Sequence, residues 1–332
     1  MKGAYELTVQ NKRIHYQFTI KRNITVIRGD SATGKTKLLE MIETYSLNGI
    51  SSGIDLKCTV PCIVLHGGDW KQRLSYTHNS IVFIDECNDF IRREEFASEV
   101  KRSDNYFVLV TRDDLPNLSY SVEEIYGIRM SKQYAGLKKT YNEFYQIYGE
   151  YEKVFNEETD FLLVEDSNSG FEFFKFILND NIKCESSNGK SNIYKFLLGY
   201  NAEDKCIVIA DGAAFGAEMD RIIQLIESGR PIALYLPESF EWIILKSDIL
   251  DDKEVRKILE HPEQFIDSEK YFSWEQYFTK LLVSKSDGTY LKYQKDFINK
   301  AYLQDKIVNK IIQVLPLKIR MIFKSNNSSP DD

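Results

Sequence analysis

Apolar residues in this chain gather into short uninterrupted runs, each followed by a polar or glycine-bearing stretch and then by a segment with helical spacing. Runs of this length bounded by turn signals read as strands buried on both faces, and their alternation with helical segments predicts parallel βα units. In the first half the runs are Asn23-Ile-Thr-Val-Ile-Arg28, Cys58 to His66, Ser80-Ile-Val-Phe-Ile, Asn105-Tyr-Phe-Val-Leu-Val and Glu124-Ile-Tyr-Gly-Ile-Arg129. Ahead of them, Tyr5 to Val9 and His15 to Ile20 alternate apolar and polar residues, as a hairpin does. The expected fold class is α/β, a doubly wound sheet whose ligand sits at the carboxyl ends of its strands.

A second βα series starts at Phe161. Its strands are Phe161-Leu-Leu-Val-Glu165, Ile182 to Ser187, Cys206-Ile-Val-Ile-Ala-Asp211 and Ile232 to Glu238, with helices between them. Residues 247–315 read mainly as helices, among them Ser273 to Leu282 and Asp296 to Gln313. Tyr134, Tyr141, Tyr145, Tyr148 and Tyr151 are spaced mostly by three or four, which predicts a helical stripe used for packing between domains. The expected organisation is therefore a first domain over 1–135, a helical connection over 136–160, a second α/β domain over 161–246, a helical C-terminal region over 247–322 and a disordered tail over 323–332.

The strand at 23–28 runs directly into Gly29, Asp30, Ser31, Ala32, Thr33, Gly34, Lys35 and Thr36, a full match to G-x-x-x-x-G-K-[ST], and Lys37 to Tyr45 continues as a helix. At average residue frequencies such a pattern arises by chance in roughly 1% of chains this long. Loop amides and a helix N-terminus together make an anion cradle, in which Lys35 reaches the β- and γ-phosphates and the Thr36 hydroxyl coordinates Mg²⁺. The strand at 80–84 ends in Asp85 and Glu86, placed to hold Mg²⁺ through water and to act as general base on the attacking water. Thr111 ends another apolar strand and is placed as a γ-phosphate sensor, with Arg112 beside it as a source of positive charge. ATP is favoured over GTP because no Asn/Thr-Lys-x-Asp follows the sensor strand.

These motifs resemble the P-loop ATPase class that includes ABC, AAA+ and RecA-like proteins, over roughly residues 5–130. The opening hairpin is similar to that of ABC-type heads, although no LSGGQ-like signature precedes Asp85. Glu165 and Asp211, two strand-terminal acids one βα unit apart, resemble a Toprim domain as it follows the ATPase in OLD-family nucleases and related phage-defence proteins. That resemblance covers roughly 160–245. It implies metal held by Glu165 and Asp211, strand cleavage gated by ATP, and a role in phage defence or mobile-element biology. Two positions depart from the pattern: Asp211-Gly-Ala213 stands where the family has Asp-x-Asp, and Asp166 follows the first acid instead of Gly. Glu218, Asp220, Glu238 and Glu241 are candidates for the missing ligand. The plain alternative is that Glu165 and Asp211 cap the helices that follow.

The chain has 332 residues, enough for two cores, and its 43% hydrophobic and 28% charged content is ordinary for a globular protein. No run is long enough to span a membrane and no secretory signal opens the chain, so the expected setting is cytoplasmic. The five cysteines are scattered singly apart from Cys58 and Cys62, whose lone Cys-x₃-Cys spacing argues for buried apolar roles and against zinc. A net charge of −7 does not advertise nucleic-acid binding, though Lys37, Lys101, Arg102, Lys132, Lys138 and Lys139 leave a local basic patch open. A homo-oligomer or a complex with another protein is expected.

Overall fold

The computed structural model describes residues 1–29, 34–131, 138–149 and 159–324. It is an α/β protein of two compact units, one formed by 1–149 with 261–273, the other by 150–260 with 274–332. Among the described residues no helix is long and apolar enough to cross a membrane.

The first unit is built on a nine-stranded mixed sheet. Its strands are β1 (Tyr5–Gln10), β2 (Ile14–Ile20), β3 (Ile24–Ile27), β4 (Asp55–Lys57), β5 (Cys62–Val64), β6 (Ile81–Ile84), β7 (Tyr106–Val110), β8 (Ile125–Met130) and β9 (Thr140–Gln146), in the spatial order β4-β1-β2-β9-β8-β3-β7-β6-β5. From β8 to β5 every pairing is parallel. The four strands β3, β6, β7 and β5 are short and nearly all buried, as their continuous apolar sequences require.

Alternate residues of each strand face opposite sides of the sheet, so one face is filled by one set and the other face by its neighbours. Phe83, Val108 and Val110 share a core with Leu38, Leu39 and Ile42 of α1 (Lys35–Asn48). On the opposite parity, Phe107 meets Phe96 of α3 (Glu94–Arg102) edge-on at 5.9 Å, and Phe96 in turn meets Trp70 of α2 (Trp70–Ser75) and Phe90. Helices thus cover both faces. The connection from β7 to β8 has only a 3₁₀ turn at Val122–Glu124, not the helix the alternation predicts.

The tyrosine segment differs from the expected helix. Within its described part, residues 140–146 form β9, which fills the slot between β2 and β8. A segment lying between two strands with unpaired backbone groups gains a ladder on each side, which outweighs a three-to-four residue side-chain spacing. Tyr141 packs against His15, Tyr145 lies over Arg129, and Phe144 stacks on Phe18 at 4.0 Å. Tyr134 and Tyr151 lie outside the described residues.

The second unit holds a four-stranded, wholly parallel sheet of β10 (Phe161–Val164), β11 (Lys183–Ser186), β12 (Cys206–Ile209) and β13 (Ile232–Tyr235), in the order β11-β10-β12-β13. Helices α4 (Ser169–Ile177), α5 (Lys190–Gly199) and α6 (Met219–Glu227) make the crossovers, and α7 (Phe240–Lys246), α8 (Lys253–Glu260), α9 (Trp274–Ser286), α10 (Asp305–Ile312) and α11 (Leu317–Arg320) follow. Gly212 lies against the end of β13: its amide donates to the Pro237 carbonyl at 2.6 Å, and a Cβ there would sit 2.3 Å from the Leu236 carbonyl oxygen.

Three predicted boundaries move. Residues 261–273 leave the C-terminal region and join the first unit, where the Gly3 amide donates to Glu263 and the Met1 ammonium to the Ser268 hydroxyl. The helix expected over 296–313 is two pieces, because Asn299 caps a 3₁₀ turn at Lys300–Leu303 and Gln304 is extended before α10. Residues 323 and 324 do not belong to the predicted tail, since Phe323 is buried and bridges to Leu178 and Lys324 pairs with Asp180, and residues 325–332 lie outside the described residues.

Candidate functional site

The carboxyl ends of three adjacent parallel strands bring the first unit's motif residues to one edge of the sheet. Register pairs Ile27 with Val110 and Leu109 with Ile84, so Gly29, Thr111 and Asp85 leave the sheet side by side in the order β3, β7, β6. Neighbouring strands lie about 4.8 Å apart, which puts the glycine-loop strand and the acid-bearing strand roughly 10 Å apart with Thr111 between them.

At Gly29 and Gly34 the backbone has φ of 128° and 95°, a region open to glycine and costly for other residues. Gly34 is also held from behind, where the Tyr16 hydroxyl donates to its carbonyl at 2.9 Å and a Cβ would meet that same hydroxyl at 2.9 Å. Burial pushes the Tyr16 phenol up to about 12, so it stays a donor. Lys35 starts α1, is buried, and donates its ammonium to the Gly29 carbonyl. Thr36 is exposed on the first turn of α1. Asp30, Ser31, Ala32 and Thr33 lie outside the described residues.

Asp85 and Glu86 are both half-buried after β6. One Asp85 oxygen accepts the Glu86 amide at 2.7 Å, and Glu86 meets the Arg112 guanidinium at 3.3 Å. The structure therefore brings the proposed base and the candidate arginine into direct contact. Thr111 is fully buried, and its hydroxyl is engaged with the Asp113 backbone at 3.1 and 3.2 Å, a local turn.

Sequence reasoning missed Arg28. It is buried immediately before Gly29, donates to the Asp114 carboxylate at 2.7 Å and to the Tyr120 hydroxyl at 3.0 Å, and so ties the glycine-loop strand to the segment after β7. A basic residue at the end of an otherwise apolar strand was the available signal.

No family model, curated protein or solved structure matches this chain. What its sites can do must come from their own geometry.

In the second unit Glu165 and Asp211 also meet, as their strand-end positions predict: the Asp211 amide donates to Glu165 at 2.9 Å. Burial pushes the Glu165 carboxyl up to about 7, with Glu275 and Asp166 adding to it. Burial raises Asp211 well above the ordinary carboxylate range, followed by the charges of Glu275 and Glu165. Asp166 is likewise raised by burial, although one of its oxygens accepts the Phe171 amide at 2.9 Å in the first turn of α4. A cavity of about 20 Å³ lies among these acids, Gly170, Pro237 and Phe240.

Further residues join this cluster, and of them only Glu241 was foreseen. Glu241 of α7 is buried and accepts the Tyr293 hydroxyl at 3.0 Å, and Tyr293 bonds Ser169 at 2.7 Å. Lys295 donates to Glu275 at 2.6 Å. Its ammonium, which burial alone would pull down, is held above the ordinary lysine range by Glu275 and Glu241. Glu275, Tyr293 and Lys295 come from the region read as helical cover with no chemistry, and nothing in their spacing marked them, whereas Glu241 stood among the candidate ligands. Among the described residues no group of three or more His, Cys, Asp or Glu is arranged to hold a metal ion. Cys58 and Cys62 fit the expected apolar role only in part: Cys62 is buried in the core with its thiol donating to the Val60 carbonyl at 3.8 Å, and Cys58 is half-buried.

Proposed function

We propose that this protein binds Mg·ATP at Gly29 to Thr36 and hydrolyses it, and that its nucleotide state controls a Toprim-like second unit. The observation that carries the reading is the side-by-side exit of the glycine loop, Thr111 and Asp85 from adjacent parallel strands. A phosphate chain lying across those strand ends would have loop amides and the α1 N-terminus at one side and the acids of β6 at the other. Lys35 would leave the Gly29 carbonyl for the β- and γ-phosphate oxygens, Thr36 and Asp85 would hold the Mg²⁺, and Glu86 would take the proton of the attacking water. The metal supplies charge neutralisation on the phosphates.

The Glu86–Arg112 pair favours a second reading, a nucleotide switch that turns over slowly until Arg112 is drawn away. Both readings are tested by phosphate release and fluorescent-ATP binding on the wild type, Lys35→Ala and Glu86→Gln, with GTP as comparator. The ATPase reading expects Lys35→Ala to lose binding and Glu86→Gln to keep binding and lose about 100-fold or more of turnover. Wild-type turnover in Lys35→Ala would sink it. ATP binding with no turnover in the wild type would leave the switch.

A further inference from the structure

The second unit departs from the metal site that a Toprim resemblance implies, and the departure is built from named contacts. Four carboxylates around Asp211 each have an oxygen committed to a protein donor: Glu165 to the Asp211 amide, Asp166 to the Phe171 amide, Glu241 to the Tyr293 hydroxyl and Glu275 to the Lys295 ammonium. Where the family pattern would bring a further carboxylate, Ala213 is buried at 4% exposure. Two cations are present instead. Lys295 lies among Glu275, Glu241 and Asp211. Lys190, the first residue of α5, donates to the Ala214 carbonyl at 2.6 Å just past Asp211 and faces Glu165, Glu218, Glu275 and Asp211.

We infer that Lys190 and Lys295 supply two positive charges to this carboxylate cluster in place of a divalent cation, so that the second unit is a metal-free module. A hard cation needs several oxygen ligands converging at about 2.0–2.6 Å with their lone pairs free. Here protein donors occupy oxygens of those ligands, and an entering cation would meet two ammonium charges at close range. Removal of those charges, with the carboxylates left in place, opens the site to metal. The inference concerns the second unit alone and stands whether or not the first unit hydrolyses ATP.

The test is a Mn²⁺ titration followed by electron paramagnetic resonance on the full nucleotide-free chain. Wild type and Glu165→Gln are expected to bind the same number of Mn²⁺ ions. A Mn²⁺ ion lost in Glu165→Gln but kept in Asp85→Asn would overturn the inference, since it would lie at the second unit and not at the nucleotide site. The Lys190→Met/Lys295→Met variant is expected to gain a Mn²⁺ site about tenfold or more tighter than anything the wild type shows there, because two repelling charges have gone. A folded double variant with no gain would show that the ammonium groups are not what exclude metal, and would also overturn it. If the double variant does not fold, Lys295→Met alone is read the same way, and the wild-type comparison with Glu165→Gln decides independently of either.

Discussion

Replacing Arg28 by Met tests whether the strand leading into the glycine loop is anchored by its buried ion pair. The Arg28 side chain is 6% exposed and meets a carboxylate whose side chain is 16% exposed, along with a tyrosine hydroxyl that is itself buried. Breaking a buried pair typically costs 3–5 kcal/mol, because the remaining charge has lost its partner and gained no water. Asp114 retains some access to solvent, so the lower end applies, about 3 kcal/mol. For a unit of this size that corresponds to a fall in melting temperature of about 6–12 °C. Urea denaturation of Arg28→Met, Asp114→Asn and the double variant reads the cost and the coupling between the two side chains. A loss below about 1 kcal/mol in Arg28→Met, or additive single effects, would refute the anchoring. The same variant is expected to bind ATP more weakly, since Gly29 follows Arg28 directly.

Three further outcomes follow from the packing. Glu124 is fully buried against Arg22, Lys21 and Thr25, and burial lifts its carboxyl from 4.5 to about 7. A carboxyl raised in the folded state costs nothing below the unfolded value and an increasing amount as pH climbs towards 7. Stability should therefore fall by up to about 3 kcal/mol between pH 4.5 and 7.5, and Glu124→Gln should flatten that slope in urea melts; an unchanged slope would refute it. Gly212→Ala places a Cβ 2.3 Å from the Leu236 carbonyl, so the second unit should lose about 2 kcal/mol, and wild-type melting would show that β13 gives way freely. The Cys58 thiol, brought down to about 6 chiefly by the neighbouring Cys62 thiol, should be alkylated by iodoacetamide at pH 7 before Cys184 and Cys206, whose thiols burial pushes up. Labelling of Cys184 or Cys206 ahead of Cys58, read by peptide mass, would count against the thiol pair.

By itself the sequence determined the strands that are buried on both faces and the residues at their ends. Local composition goes far towards both, since a short apolar run bounded by turn signals reads as a strand inside a sheet and a polar residue after it leaves the sheet, although the run Trp242-Ile-Ile-Leu245 lies in α7. Hence Gly29, Asp85, Thr111, Glu165 and Asp211 all stand at the carboxyl ends expected of them. Tertiary structure decided what depends on partners distant in the chain. Residues 140–146 became β9 because β2 and β8 offered two unpaired edges. Residues 261–273 returned to the first unit through contacts with Met1 and Gly3. Arg28 acquired a carboxylate 86 residues away, and the cluster around Asp211 drew Lys190, Glu241, Glu275, Tyr293 and Lys295 from four separate segments. A buried charge must find its counter-charge wherever the fold brings one, and no local pattern encodes that choice.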